Sequence, residues 1–404
     1  MRALLEESFR AAVATADPLQ IVAAHLPPPP KGRIFVAGAG KAAASMAVAV
    51  EKALGPVEGI AITRYGHGLP TRHIRIVEAG HPVPDESGQG AAREMLERTR
   101  ELGKDDLLLA LLSGGGSSLL TLPAPGVSMA TLKSLTSELL KSGATIQEMN
   151  TVRKHLSAIA GGRLAAASRA PVLALIISDV TGDDPTHIAS GPCAPDPTSV
   201  QEARAVLERY GVDFEGPFAE SPKPDDTMFA RVENRVIATA HRSLEAAAAL
   251  FQREGIAPVI LGDTVTGEAS EVAKVMAALV REIQHHGKPW PRPVALISGG
   301  ETTVTLRGES GRGGRCSQFL LSLGIEVDGV WAIAADTDGI DGSEDNAGAL
   351  LTPDSLQRAS AMKLSGKALL AKNDSYSFFK SLGDLVNTGP TRTNVNDYRA
   401  ILVL

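Results

Sequence analysis

The chain reads as an α/β protein of two domains: an N-terminal Rossmann-like parallel sheet with helices on both faces, and a C-terminal α/β domain whose sheet is mixed. Three features predict this. Short runs that are apolar throughout alternate with stretches of helical composition, the pattern of a parallel sheet covered on both faces. The strongest runs end in loops crowded with glycine, hydroxyl and acid, and in such sheets function collects at the carboxyl ends of the strands. Between residues 211 and 226 three prolines and five acids interrupt the pattern, a surface crossing that divides the chain into 1–226 and 227–404.

Residues 1–25 read as amphipathic helix, closed by the prolines from Pro27 to Pro30, which stiffen the lead into the first strand. Strands follow at 34–37, 59–63, 74–78, 106–112 and 171–178, with helices at 41–54, 87–102 and across 128–167. Beyond the crossing the expected strands are 235–239, 258–261, 294–298 and 331–335, with helices at 242–254 and 268–284. The run 302–306 reads as a strand close to 294–298, which makes the second sheet mixed, and 401–404 as the last strand.

The first strand turns through Gly38 and Gly40 into an Ala-rich helix from about Lys41. Such a turn aims backbone N–H groups and the positive helix end at one point, and Lys41 adds a full charge, so it suits phosphate or carboxylate. It is not a Walker A loop: Phe35 stands where the first glycine belongs, and Ala42 where the Mg²⁺-binding hydroxyl belongs. Gly38-x-Gly40-x-x-Ala43 does match the loose dinucleotide fingerprint, which also needs an acid at the end of the next strand. That strand ends in Arg64-Tyr65, which disfavours NAD and leaves NADP. Glycines that serve only helix–strand packing are the plainer alternative.

The run 107–112 leads into Ser113-Gly-Gly-Gly-Ser-Ser118. There Ser113, Gly114, Gly115 and Ser117 offer N–H and hydroxyl donors that can wrap an anion, against the alternative of a flexible surface turn. The run 173–178 leads into Asp179-Val-Thr-Gly-Asp-Asp184. Carboxylates so spaced suit Mg²⁺, with Asp179 and Asp183 as candidate ligands, although an Asx-type turn uses the same residues. His187, standing alone, reads as structural. In the C-terminal half, 294–298 leads into Gly299-Gly-Glu-Thr302 and on to Gly308-Glu-Ser-Gly-Arg-Gly-Gly-Arg-Cys316. Arg312 and Arg315 among its glycines fit a loop that closes over phosphate. The run 331–335 leads into Asp336-Thr-Asp-Gly-Ile-Asp-Gly-Ser343, and the polar loop 388–397 carries Asn394, a candidate substrate or phosphate ligand.

A net charge of −6, with no cluster of Lys and Arg, argues against a nucleic-acid surface. The longest apolar run, 171–177, is too short to span a bilayer, so no membrane partner is expected. Cys193 and Cys316 are too few for a disulfide framework or a Cys-based zinc site. The first ten residues carry acids where a signal peptide has its apolar core, and a cytoplasmic protein is expected. GxSxG, HExxH and kinase HRD/DFG motifs do not occur. Lys and Arg in glycine loops, with Asp available for Mg²⁺ and no obvious Cys/His nucleophile, suggest phosphoryl transfer. An NADP-dependent reductase and a non-catalytic anion-binding regulator are the alternatives.

In order, the chain carries Gly38-Ala-Gly-Lys-Ala42, Gly80-His-Pro-Val-Pro-Asp85, Ser113-Gly-Gly-Gly-Ser-Ser118, Val152-Arg-Lys-His-Leu-Ser157 with Gly161-Gly-Arg-Leu164, Ser178-Asp-Val-Thr-Gly-Asp-Asp184, Ala189-Ser-Gly-Pro192, Ser298-Gly-Gly-Glu-Thr302, Gly311-Arg-Gly-Gly-Arg315 and the loop 388–397. In these it resembles the two-domain glycerate 2-kinase family, whose members are often labelled hydroxypyruvate reductase. The resemblance implies phosphorylation of D-glycerate to 2-phospho-D-glycerate by ATP with Mg²⁺, in a cleft between the two domains. An NADP-dependent hydroxypyruvate reductase is the alternative under the older label. The resemblance also implies Lys41 and Arg315 as the central charged residues. On this reading Lys41 binds the glycerate carboxylate or the transferring phosphoryl group, Arg315 neutralises charge, and Asp179 and Asp338 compete as the base. Three positions depart from the family pattern: Cys316-Ser-Gln318 where Asn-Gln-Glu is usual, His241 for Asn, and Arg392 for Gly. The partners expected are D-glycerate and ATP, with a homodimer left open.

Overall fold

A computed structural model describes residues 1–306 and 311–404. Its first sheet forms from strands that have almost nothing polar to expose. β1 (Ile34–Ala39) is buried at every position after its first, while β4 (Leu107–Leu112) and β5 (Val172–Ile177) are buried throughout. With β2 (Glu58–Arg64), β3 (Ile74–Ala79) and β6 (Val232–Ala238) they make a six-stranded sheet in the order β3-β2-β1-β4-β5-β6. β1 runs parallel to both β2 and β4, β2 to β3, and β4 to β5. This is the doubly wound order of dinucleotide-binding sheets, and the strand sequence reverses between β1 and β4. The helix Glu86–Arg100 covers one face, burying Met95 and Leu96 with Phe35, Ile60, Leu112 and Ile176.

The second sheet contains β7 (Ala257–Gly262), β9 (Val294–Ser298), β11 (Trp331–Asp336), β12 (Gly348–Leu351), β13 (Leu385–Val386) and β14 (Asp397–Val403), in the order β13-β12-β11-β14-β9-β7. β7 and β9 are parallel, whereas β14 is antiparallel to both of its neighbours, so the sheet is mixed as expected. Its antiparallel pairings are made by β12 and β14, not by the run at 302–306. That run contributes only Thr302–Thr303 (β10), which pairs with Gly267–Glu268 (β8) in a separate two-stranded ribbon. β12 and β13 were not among the expected strands. The strand expected at 235–239 is β6, the edge of the first sheet, and not part of the second domain.

The chain divides into two compact units, Pro18–Ile237, and Met1–Asp17 together with Ala238–Leu404. The division differs from the expected 1–226 and 227–404 at both ends, for physical reasons. The stretch 1–25 is three pieces, Arg2–Ala14, Pro18–Ile21 and the 3₁₀ turn Val22–His25, interrupted before Pro18, whose ring suits the first position of a new helix. Leu5, Phe9 and Ala12 of the first piece bury against Leu244, Ala247 and Phe251 of the helix Ala240–Arg253, which places them in the C-terminal core. The 211–226 segment, although rich in proline and acid, is bonded into the first unit. Ala219 N–H donates to His155 O at 2.9 Å, Asp196 N–H to Pro222 O at 2.9 Å, and Arg163 to Ala219 O at 2.8 Å. Among the described residues no helix is long and apolar enough to cross a membrane.

The centre of that attachment is an ion pair out of water. Lys154 Nζ lies 3.3 Å from Asp196 Oδ1, both side chains are buried, and Asp196 also accepts from Ser221 Oγ at 2.9 Å and Thr198 Oγ1 at 2.7 Å. Burial raises the Asp196 carboxyl, but Lys154 and these donors outweigh it and hold the group below its usual value. The pair's contribution is therefore complete above the unfolded aspartate value of about 3.9 and fades as pH falls below it. Asp196→Asn leaves a buried ammonium without its counter-charge and is expected to cost about 3–5 kcal/mol. Urea unfolding at neutral pH measures this, and a loss under about 1 kcal/mol would contradict the assignment.

Candidate active site

At the carboxyl ends of β1 and β4 the two glycine loops are bonded to each other. Ser113 N–H donates to Ala39 O at 3.1 Å, Lys41 N–H to Gly114 O at 2.8 Å, and Ala42 N–H to Ser113 Oγ at 3.0 Å. The approach depends on Gly40, whose φ is 132°; a Cβ there would lie 2.1 Å from Ser113 Oγ. Lys41 and Ala42 form a turn ahead of the helix, which runs Ala43–Leu54 and so starts two residues later than expected. Gly38 lies inside β1 opposite Ala61 of β2, and the buried Ser113 ties the loops together. Gly115 is left-handed at φ 78°, and a Cβ on it would meet His81 Nε2 at 2.8 Å and Lys41 Cγ at 3.4 Å. His81, to which the sequence assigned no role, thus belongs to the group of Lys41, Gly114 and Gly115.

From Ser117 the same site extends to residues that carried no expectation. Ser190 Oγ donates to Ser117 Oγ at 2.8 Å, and Arg153 Nη2 donates to Asn150 Oδ1 at 2.9 Å and to Ser190 Oγ at 3.4 Å. Ala189 and Ser190 both stand in the left-handed region, at φ 51° and 59°, a conformation that L residues rarely adopt in succession. Bonds from Gly161 N–H to Ser190 O and from Gly162 N–H to Gly191 O hold them there. Beside this group is a cavity of about 390 Å³ lined by Ser117, Ser118, Arg153 and Ser190, with Val83, Leu132 and Met149 among its apolar walls.

Asp179 and Asp183 lie in the loop after β5, at the same edge of the sheet because β5 pairs with β4 in parallel. Asp183 is left-handed at φ 53°, and its N–H closes a turn onto Val180 O at 3.1 Å. Asp184 accepts from Thr186 N–H at 2.8 Å. This loop therefore has the Asx-type turn geometry that was its alternative reading, with Asp179 and Asp183 presented beside it. His187 is half-buried.

Arg315 and Asn394 belong to the other unit. Arg315 opens the helix Arg315–Glu326, and its guanidinium is already bonded on every nitrogen: Nε to Asp397 at 2.8 Å, Nη2 to Asp336 at 2.6 Å and Nη1 to Glu301 at 3.1 Å. Burial works against this charge, but Asp397, Asp336 and Glu301 outweigh it and raise the Arg315 pKa. Arg312 is paired with Glu344, Nε to Oε2 at 2.8 Å, and stacks over Tyr376 at 4.2 Å. The two arginines expected on a mobile closing loop are thus held by carboxylates, while Gly308, Glu309 and Ser310 of that loop lie outside the described residues. Asp336, Asp397 and Glu301, the partners of Arg315, were not singled out from the sequence. Asn394 is buried and accepts from Asn396 N–H at 3.3 Å, in a loop that Thr391 and Asn396 join to Thr337 and Asp338. A cavity of about 530 Å³ lies beside Arg315, lined also by Glu301, Thr302, Gln318, Glu344 and Asn373.

The three departures also find their places. Cys316 is fully buried and packs in the core, and the N–H groups of Cys316 and Ser317 each reach Asp341 at 2.9 Å, so these two residues start a helix. Gln318 alone of the three lines the cavity. Arg392 adopts φ 60°, which explains why glycine suits that position. His241 lies 4.0 Å from Asp263 at the start of the helix Ala240–Arg253.

Comparison with known proteins agrees with this architecture. Residues 4–219 match the domain of unknown function DUF4147, and residues 294–397 match the MOFRL family. The chain is 50% identical over 416 residues to an Agrobacterium vitis protein provisionally named a hydroxypyruvate reductase, covering 100% of this chain and 94% of that one. It is 39% identical over 409 residues to the D-glycerate 2-kinase of Thermotoga maritima, covering 98% and 97%. The crystal structure of a glycerate kinase from Thermotoga maritima superposes with a TM-score of 0.88 at 37% identity, covering 100% of this chain and 99% of the other. Matched from end to end in sequence and in fold, the chain belongs to the two-domain glycerate 2-kinase family.

Proposed function

We propose that this protein transfers the terminal phosphoryl group of ATP to the 2-hydroxyl of D-glycerate, yielding 2-phospho-D-glycerate and ADP. The observation that carries this reading is the end-to-end identity with a protein named D-glycerate 2-kinase. The geometry supports it. Phosphoryl transfer asks for positioning and charge neutralisation more than for a covalent nucleophile, and the junction of β1 and β4 offers a lysine, glycine backbone and a serine. Lys41 meets the charge of the transferring group, with Gly114, Gly115 and Ser117 beside it. Among the described residues no group of three His, Cys, Asp or Glu side chains is arranged to hold a metal ion. That suits Mg²⁺ delivered on the nucleotide, an ion usually held by one or two carboxylates plus substrate phosphates. Asp179 and Asp183 are the carboxylates of this reading, and Mg²⁺ when bound neutralises phosphate charge. Arg315 is its second cation: Nε and Nη2 stay on buried Asp397 and Asp336, while Nη1 can exchange the exposed Glu301 for a phosphate oxygen.

The reductase reading draws on the name given to the Agrobacterium vitis relative. β2 ends at Arg64 and is followed by Tyr65, so the acid that accepts a ribose hydroxyl is missing, which disfavours NAD but leaves NADP as the cofactor of that reading. One experiment decides between them. Incubation with D-glycerate, ATP and Mg²⁺ is expected to give ADP and 2-phosphoglycerate, and hydroxypyruvate with NADPH is expected to leave the NADPH unchanged. NADPH oxidation without ADP release would overturn the kinase reading.

Two substitutions should behave differently. Lys41→Ala is expected to lower kcat/KM at least ~10²-fold, the usual result of losing one preorganised donor to developing charge, with Tm nearly unchanged. Arg315→Ala is expected to lose activity and also to destabilise the fold by about 3–5 kcal/mol, because two buried carboxylates lose their shared cation. Thermal unfolding of the two variants beside steady-state kinetics separates the roles. An Arg315→Ala protein as stable as the parent would refute the charge assignment.

A further inference from the structure

Arg153 is a half-buried cation whose hydrogen-bond partners Asn150 and Ser190 are both neutral. It bonds to an amide oxygen and a hydroxyl, and among the described residues it forms no ion pair. Burial pushes its guanidinium down to about 10, with no carboxylate acting to restore it, and it remains charged at neutral pH. A guanidinium withdrawn from water without a counter-charge is costly, and one that lines a cavity is placed to receive an anion. The contrast with Arg163, one helix further on, is direct: that side chain is also penalised by burial, but Asp196 and Glu220 compensate it.

We propose that Arg153 binds the carboxylate of the hydroxy-acid acceptor, with the hydroxyls of Ser190 and Ser117 beside it. The proposal rests on the kinase reading and deepens it, because it leaves Lys41 to the transferring phosphoryl group. Charge matching favours a carboxylate over the nucleotide phosphates. One guanidinium and two hydroxyls balance a single negative charge, whereas a triphosphate brings about four and keeps a hydrated cation. The walls formed by Val83, Leu132 and Met149 cannot replace that hydration, but they strengthen a lone guanidinium–carboxylate contact by excluding water. Ser117 connects the two functions: its hydroxyl bonds to Ser190 while its backbone continues the glycine loop beside Lys41. An acid anchored on Arg153 therefore lies next to the loop that presents phosphate. The left-handed backbone at Ala189 and Ser190 fixes the serine before any ligand arrives, which lowers the ordering cost of binding.

The test uses the full chain and its Arg153→Gln and Arg153→Lys variants, with KM measured separately for D-glycerate and for ATP. Losing a hydrogen bond to a charged group typically costs a factor of about 10–100, so Arg153→Gln should raise the glycerate KM by about that factor. The ATP KM should stay within about twofold, with Arg153→Lys intermediate, since an ammonium keeps the charge but not the fork. Calorimetry on the unmodified protein supplies an arm that needs no variant: D-glycerate should bind without nucleotide, and glyceramide, its uncharged amide, should not. An unchanged glycerate KM, a parallel rise in the ATP KM, or equal binding of glycerate and glyceramide would each overturn the proposal. If the unmodified protein binds glycerate but phosphorylates none, and Arg153→Gln abolishes that binding, the kinase reading fails and the anchor stands. If Arg153→Gln is as good a kinase as the parent, the anchor fails and the kinase reading stands.

Discussion

Everything at the first site depends on the closeness of two loops at the middle of one sheet. β1 and β4 are neighbours and parallel, so their carboxyl ends emerge side by side, and Gly40 lets the backbone after β1 lie against Ser113. The bonds from Lys41 N–H to Gly114 O and from Ala42 N–H to Ser113 Oγ then lock the lysine's backbone to the glycine loop. A side chain at position 40 would separate them. Because the constraint is steric and sits in the backbone, the lysine is positioned before any ligand arrives, which is the condition under which a charge acts most strongly on a transition state.

The second unit solves the opposite problem. There the cation lines a cavity but is already held by acids: Asp397 serves both Arg315 and the fully buried Arg399, at 2.8 and 2.7 Å. Two arginines and the carboxylates at the ends of β11 and β14 form one network in which each member offsets the desolvation of another. Arg153 in the first unit has no such carboxylate partner among the described residues, and it lines a cavity.

Much of this was legible in the residues because the signals were local. A strand that breaks at glycines and resumes as helix is contiguous in sequence, so the site around Gly40, Lys41, Ser113 and Gly115 could be read directly. Arg153 could not. Its meaning depends on Asn150 one helical turn away and on Ser190 from a distant loop, separated by 37 residues. The partners of Arg315 are 21 and 82 residues away and become neighbours only through the sheet order. β13 is two residues long and too short for any periodicity to register. Proline and acid content correctly marked 211–226 as lacking regular structure, but composition does not say which core such a segment is bonded to; Asp196, Ala219 and Pro222 decide that.

The helix Arg2–Ala14 has a consequence for how the protein is made. It is synthesised well before the strand it packs on: Ser8 accepts a hydrogen bond from Tyr398, 390 residues later. At about 5–20 residues per second a ribosome needs roughly 20–80 s to deliver that partner. A helix of 13 residues is marginal on its own in water, and Leu5, Phe9 and Ala12 have no core to bury against until the residues from Ala238 onward are made. The helix therefore docks late, after the unit from Pro18 to Ile237 has been made, and its apolar face stays open to water in the meantime.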